Sequence, residues 1–244
     1  MKPTWNPPPD KQVYACYECK DMGWVYPATA ATAGPEEIGR MKPLRCRCQT
    51  EHDTLRRRRY LEQIDGLTAS ERSRTWQYLE VGLNGDVMSF VHNAVQRRRG
   101  LITLTGAPGT GKTTMLHCAV NQARTINVTT AYTTVTDLLD YLRNAYNPNS
   151  QRDLTFDGRW EMLVNVEVLA LDEADEFNAT SWALERFLRL VDDRWRNIDR
   201  RLTIFAMNGD VDHLPEKVAS RLNDGRANRF TLQSLVDLRT TQSW

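Results

Sequence analysis

The segment GAPGTGKTT, residues 106–114, has the residue types and spacing of a phosphate-binding loop. Across Gly106, Ala107, Pro108, Gly109, Thr110 and Gly111 the three glycines let the backbone turn tightly, so that successive N–H groups can face phosphate oxygens. Lys112 then supplies a compact mobile charge to the β- and γ-phosphates, Thr113 a hydroxyl for Mg²⁺, and Thr114 completes the nucleotide-binding residues of the segment. A second element, VLALDEAD over 168–175, ends an apolar run in an acidic pair. Asp172 is thereby expected to hold Mg²⁺ and Glu173 to polarise an attacking water, at the carboxyl end of a buried strand where open α/β sheets bind ligands. Asp175 and Glu176 also fit an acidic helix start.

Four of the five cysteines form a third element, Cys16-x₂-Cys19 and Cys46-x-Cys48. Residues 1 to about 50 are rich in Pro, Gly, Ala and Thr and lack helical or strand periodicity, so this segment needs a staple to fold. Four thiolates closing a tetrahedron around Zn²⁺ would provide it, with His52 an alternative to one of them. Cys118, in the helix after the phosphate loop, reads as a small core residue.

Composition bounds the rest. The chain has 244 residues, enough for one full-sized domain and a small one. No apolar stretch approaches the roughly 20 residues of a membrane span, and the start lacks a signal-peptide core, so the expectation is a soluble cytoplasmic protein. The 32 basic residues against 31 acidic argue against binding to nucleic acid by bulk charge alone, although local patches survive such averaging. The distribution is uneven: 16 basic against 12 acidic residues before Gly100, 16 against 19 after it. Only six residues are Lys, and between Pro43 and Glu216 the sole one is Lys112. Arg56 to Arg59 and Arg97 to Arg99 could hold single-stranded DNA phosphates or be solvated helix faces. Trp5, Trp24 and Trp76 fit packing as well as base stacking.

The elements that must position these residues follow from periodicity. Asp53 onward reads as a short helix ended by Gly66, and Thr68 with Glu71 as a capping box. Residues 86–99 have an amphipathic stripe, with Asp86 as N-cap and Gly100 just past the end. Strands are predicted at 101–105, 127–133, 166–171, 202–207 and 229–232, and helices at 112–124, around 138–145, from Thr180 or Ser181, and at 216–222. Buried strands alternating with helices give a parallel α/β sheet covered on both faces. The domains expected are a zinc-binding, partner-docking segment over 1–52, a helical linker over 53–75 and a nucleotide-binding domain over 76–244.

From residue 70 to 240 the chain resembles the AAA+ ATPases of the DnaC type, bacterial and phage helicase loaders, with the transposition helper IstB a close relative. GAPGTGKT, LALDEAD, TIFAMN (203–208), VASRLNDG (218–225) and LVDLR (235–239) carry the resemblance. It implies a P-loop three-layer sandwich of strand order 5-1-4-3-2, without the C-terminal lid of most AAA+ proteins. It further implies ATP hydrolysis with Asn208 sensing the γ-phosphate, Arg221 reaching a neighbouring subunit's nucleotide, and Arg239 binding nucleotide. From the residues alone, Asn208 also fits a turn before Gly209, and Arg221 a solvated helix position. CYECKDMGWVYP with LRCRCQ is similar to the N-terminal zinc modules of some loaders, which dock on the helicase. The resemblance therefore predicts a replicative hexameric helicase, single-stranded DNA and self-association in the ATP state as partners. An IstB-like ATPase recruiting a transposase, and a non-hydrolysing adaptor stabilised by ATP and zinc, are the alternatives.

Overall fold

The computed structural model describes residues 16, 24–25, 41–48, 60–79, 84–146 and 155–233. The chain divides into two compact units, residues 1–59 and 60–244. In the first, β1 (Trp24–Val25) pairs antiparallel with β2 (Leu44–Arg45), Trp24 opposite Arg45. Cys46 follows β2 directly and is fully buried.

The second unit is a five-stranded sheet. Its strands are β3 (Gly100–Thr105), β4 (Thr130–Thr134), β5 (Val168–Asp172), β6 (Leu202–Ala206) and β7 (Asn228–Thr231). They lie in the order β4-β5-β6-β3-β7 with every pairing parallel. Counted within the sheet, this is the expected order 5-1-4-3-2. Helices α1 (Gly85–Arg97) and α2 (Lys112–Thr125) cover one face. The other carries α3 (Val135–Arg143), α4 (Phe156–Asn165), α5 (Ser181–Arg196) and α6 (Glu216–Leu222).

Period-two alternation along each strand divides the core in two. Ile102, Leu104, Val168, Ala170, Ile204 and Ala206 pack toward α1 and α2. Leu101, Leu169, Leu171 and Phe205 pack toward the opposite layer. Because these strands are buried on both faces, they read as continuous apolar runs. A buried cation braces this layer: Arg194 donates to Thr203 Oγ1 at 2.7 Å and to the carbonyls of Val164, Val166 and Leu202. Its charge is spread over aligned carbonyl dipoles, and burial pushes its pKa down to about 9.

Several boundaries differ from expectation. Helix α1 has Asn84, not Asp86, as N-cap, and it ends on Arg98 at φ 55 while Gly100 opens β3. Asn84 instead grips the backbone of Gln233 through both amide atoms, at 2.8 and 3.1 Å. Strand β4 starts at Thr130, because Asn127 takes a left-handed turn at φ 59. Helix α4 is an element the periodicity does not announce. The capping box is present: Thr68 N–H donates to Glu71 Oε2 at 2.8 Å, and Glu71 N–H to Thr68 Oγ1 at 3.4 Å. It opens only a single 3₁₀ turn, Glu71–Ser73.

Candidate functional site

The loop after β3 is shaped by what it has no room for. Gly106, Gly109 and Gly111 have φ of 139°, 82° and 91°, a region side chains rarely adopt. At Gly106 a Cβ would lie 2.6 Å from the Leu232 carbonyl oxygen, so the segment after β7 also forbids any side chain there. No side chain caps α2, whose N-cap is Gly111. The first turn therefore presents backbone donors and the positive end of a 14-residue helix. Lys112 is buried, its ammonium donating to the carbonyls of Gly106 at 2.7 Å and Ala107 at 2.8 Å. Thr110 Oγ1 closes the loop onto the Ala107 carbonyl at 2.9 Å. Thr113 and Thr114 are half-buried beside it. These features fit a nucleotide's phosphates.

Asp172 is the last residue of β5 and faces the α2 layer, 6% exposed. Both carboxylate oxygens are engaged. Oδ1 accepts from Glu173 N–H at 3.0 Å and Oδ2 from the Tyr132 hydroxyl at 3.0 Å. Glu173 sits just beyond the strand at φ 51, a strained conformation for a side-chain-bearing residue, and is exposed. Partial burial first, then the neighbouring carboxylates Asp172, Glu176, Asp137 and Asp175, raise its pKa above the ordinary carboxylate range. A raised carboxylate is a better proton acceptor, as water activation requires.

Asp175 and Glu176 do not open a helix, since α5 begins at Ser181 with Thr180 as its cap. They hold the turn after β6. Asp175 accepts from the N–H of Asn208 at 3.1 Å and of Gly209 at 2.7 Å, and Glu176 accepts from Asn208 Nδ2 at 2.8 Å. The acidic run thus joins the end of β5 to the exposed Asn208.

Arg221 lies elsewhere, on α6. Its Nε donates to Asp192 Oδ1 at 2.9 Å, and its guanidinium stacks 4.4 Å from the Trp195 ring centre. Arg226 stacks on the same ring at 4.2 Å. Arg221 and Asp192, with Glu185, Arg189 and Lys217, border a mixed-charge groove of about 580 Å³ between α5 and α6. Arg221 is thus anchored toward α5, through Asp192 and Trp195.

Three residues were not singled out by sequence. Tyr132 bonds Asp172 from the adjacent strand, and its ring stacks edge-on against His117 of α2, 4.6 Å between centres. His117 Nδ1 in turn accepts from Arg74 at 3.0 Å. Only the β4–β5 register, Thr134 opposite Asp172, brings Tyr132 within reach. Burial lowers the His117 pKa from 6.5 to about 4, the Arg74 charge adding to this against Glu71 and Asp172. The imidazole is neutral in the folded chain at pH 7. Between pH 6.5 and 4 the unfolded chain binds a proton that the folded chain refuses, so stability falls as pH falls through that window. Urea unfolding midpoints at pH 7.5 and 5 are expected to differ less in His117→Gln than in the parent.

In the first unit, the sulfurs of Cys16, Cys46 and Cys48 lie within 4.8 Å of one another. The Cys16 and Cys46 sulfurs are 3.7 Å apart. A disulfide needs about 2.05 Å, whereas two thiolates on one tetrahedral zinc at about 2.3 Å lie roughly 3.8 Å apart. The cluster is a metal-binding arrangement. Cys19, His52, Arg56 to Arg59, Trp5 and Arg239 lie outside the described residues. Cys118 is a core residue, its thiol pushed up to about 12 by burial. Trp76 donates to Gln122 Oε1 at 3.0 Å and packs on His92, so it is a packing residue. Arg98 pairs with Glu167 at 3.1 Å. Trp24 is half-exposed, with Arg45 stacked over it at 5.7 Å.

Residues 95–214 match the family model described as an AAA domain. Among solved structures, the chain is similar to AMPPCP-bound DnaA from Aquifex aeolicus, 19% identical, covering 72% of this chain and 54% of that one at TM-score 0.59. A DnaC helicase loader is 16% identical, covering 68% of this chain and 100% of that one at TM-score 0.54. A DnaI structure is 17% identical, covering 73% and 99% at TM-score 0.54. The match spans about half the length of the DnaA structure. No curated protein matches the sequence. At these identities the likeness is one of fold. The matched AAA segment contains both the phosphate loop and the acidic pair at the end of β5, and none of the helices among the described residues is long and apolar enough to cross a membrane.

Proposed function

We propose that this chain is an AAA+ ATPase acting as a helicase loader, which binds a replicative hexameric helicase and helps place it on single-stranded DNA. The observation that carries the reading is the pairing of a complete phosphate loop and the Asp172–Glu173 pair with a separate cysteine-stapled unit. Chemistry and partner docking then belong to different parts of one chain. The likeness in fold to a loader along that structure's whole length supports this reading.

Lys112 and the backbone of 106–111 would hold the ATP phosphates, and Thr113 and Asp172 would ligate Mg²⁺. Bound there, the ion neutralises charge developing on the transferred phosphoryl group. Glu173 takes a proton from the attacking water, and Asn208, fixed by Asp175 and Glu176, reports on the γ-phosphate. Arg221, anchored on α5, completes a neighbour's site when subunits associate in the ATP state, and Arg239 contributes to nucleotide binding. Cys16, Cys19, Cys46 and Cys48 would hold Zn²⁺, which shapes the docking unit in the cytoplasm. Hydrolysis acts as a switch through the different affinities of ATP and ADP states for subunits, DNA or helicase.

The test is a pull-down with the full chain, zinc and ATP against purified replicative helicase and purified transposase. Retention of the helicase, lost in Cys46→Ser, is the expected result. Retention of the transposase alone would overturn the loader reading in favour of a transposition helper.

A further inference from the structure

We propose that Tyr132 is a positioning residue for the metal site, orienting the Asp172 carboxylate through its hydroxyl and tying that orientation to residues 65–79. The inference rests on the reading of Asp172 as a Mg²⁺ ligand.

A carboxylate at a strand end can rotate about its terminal torsion, and a metal ligand must present one oxygen in one direction. Here the rotation is fixed from two sides, by Glu173 N–H on Oδ1 and Tyr132 O–H on Oδ2. Tyr132 is 8% exposed, and its hydroxyl faces a carboxylate oxygen, which can only accept, so the hydroxyl donates. A donor to Oδ2 also limits the lone pairs left on that oxygen, so the remaining ones set where a cation can sit.

Tyr132 is itself held. Its ring stacks on His117, and its carbonyl accepts from Gly66 N–H at 3.1 Å. His117 can only accept from Arg74, because a guanidinium has no acceptor; this puts the imidazole proton on Nε2. Asn121 of α2 fixes the same segment by donating to the carbonyls of Glu71 and Arg74, both at 2.8 Å. Asp65, its carboxylate 1% exposed, pairs with Arg72 at 2.8 Å and with Arg124 of α2 at 2.6 Å. The segment leading into the ATPase sheet therefore contacts Tyr132 through Gly66 and supports its stacking partner through Arg74.

The experiment uses the full chain with a non-hydrolysable ATP analogue and Mn²⁺ as the probe, its binding followed by electron paramagnetic resonance. Tyr132→Phe keeps the ring against His117 and removes only the hydroxyl. It is expected to bind Mn²⁺ about tenfold more weakly, the scale of one hydrogen bond to a charged group, while its affinity for the analogue in EDTA is unchanged. Unchanged Mn²⁺ affinity in Tyr132→Phe would overturn the proposal. If that variant loses the analogue in EDTA, His117→Ala, which frees the ring to turn, is read instead: weaker Mn²⁺ binding supports the proposal and unaltered binding overturns it. Asp172→Asn tests the underlying reading separately. If it still binds Mn²⁺ as the parent does, the metal assignment itself fails, whatever Tyr132→Phe shows.

Discussion

Lys112→Ala is expected to lower ATP hydrolysis by at least about a hundredfold and to weaken ATP binding in parallel, measured by phosphate release and by nucleotide titration. The ammonium is nearly buried and is fixed by two loop carbonyls at 2.7 and 2.8 Å. Carbonyls carry only partial charges, so exchange of these contacts for phosphate oxygens favours the bound state. Truncation removes that attraction and leaves the Gly106 and Ala107 carbonyls without their donor. Lys112→Arg is not a remedy, because a planar fork does not fit where a point charge sits between two turns of backbone. The same variant tests the shared site. Arg221→Ala retains the loop and lacks the proposed finger, whereas Lys112→Ala lacks the loop and retains the finger. Mixing the two inactive proteins is expected to restore measurable hydrolysis, because some subunit junctions then contain both. No restoration would place Arg221 outside the reaction.

Cys46→Ser is expected to abolish zinc binding and to unfold the first unit while the ATPase unit persists. The described apolar residues of that unit include Trp24 at 50% and Leu44 at 55% exposed, and its described strands are two residues each. Among the described residues, apolar burial on this scale does not hold a chain together. A structural zinc contributes an apparent 10–16 kcal/mol at neutral pH, roughly the whole stability of a small domain. Cys46 is fully buried at the point where Cys16 and Cys48 converge, so serine there replaces a soft thiolate with a hydroxyl that zinc binds poorly. Zinc per chain, measured by chelator release, should fall to about zero. Limited proteolysis should then remove residues 1–59 and leave residues 60–244 able to bind ATP. A variant that keeps its metal and its protease resistance would refute the assignment.

Much of the phosphate-loop end of the sheet is readable from local pattern. Glycines at 106, 109 and 111, a lysine after them and apolar strands on a period of two are signals carried within a few residues of chain. Helix α4 shows how such signals fail. Its buried face includes Arg159, 1% exposed, which donates to the Tyr141 carbonyl and stacks on the Tyr141 ring at 4.4 Å. A charge on the inner face cancels the apolar stripe, and only the cap, Thr155 accepting from Gly158 N–H at 3.3 Å, marks the start. Asp175 fails differently. Four residues after Leu171 it resembles a helix-start acid, yet its partners are Asn208 and Gly209, more than thirty positions away.

By itself the sequence determined the class of fold, the phosphate loop, the acidic pair at a strand end and the cysteine staple, because each depends on spacing within one segment. The tertiary structure alone decided that Tyr132 sits on Asp172, that Asp175 holds Asn208, and that Arg221 is anchored to Asp192 on α5. Those contacts depend on strand register and on which helix faces meet. Both are set by packing the whole sheet between its two layers, a balance that no short window of residues contains.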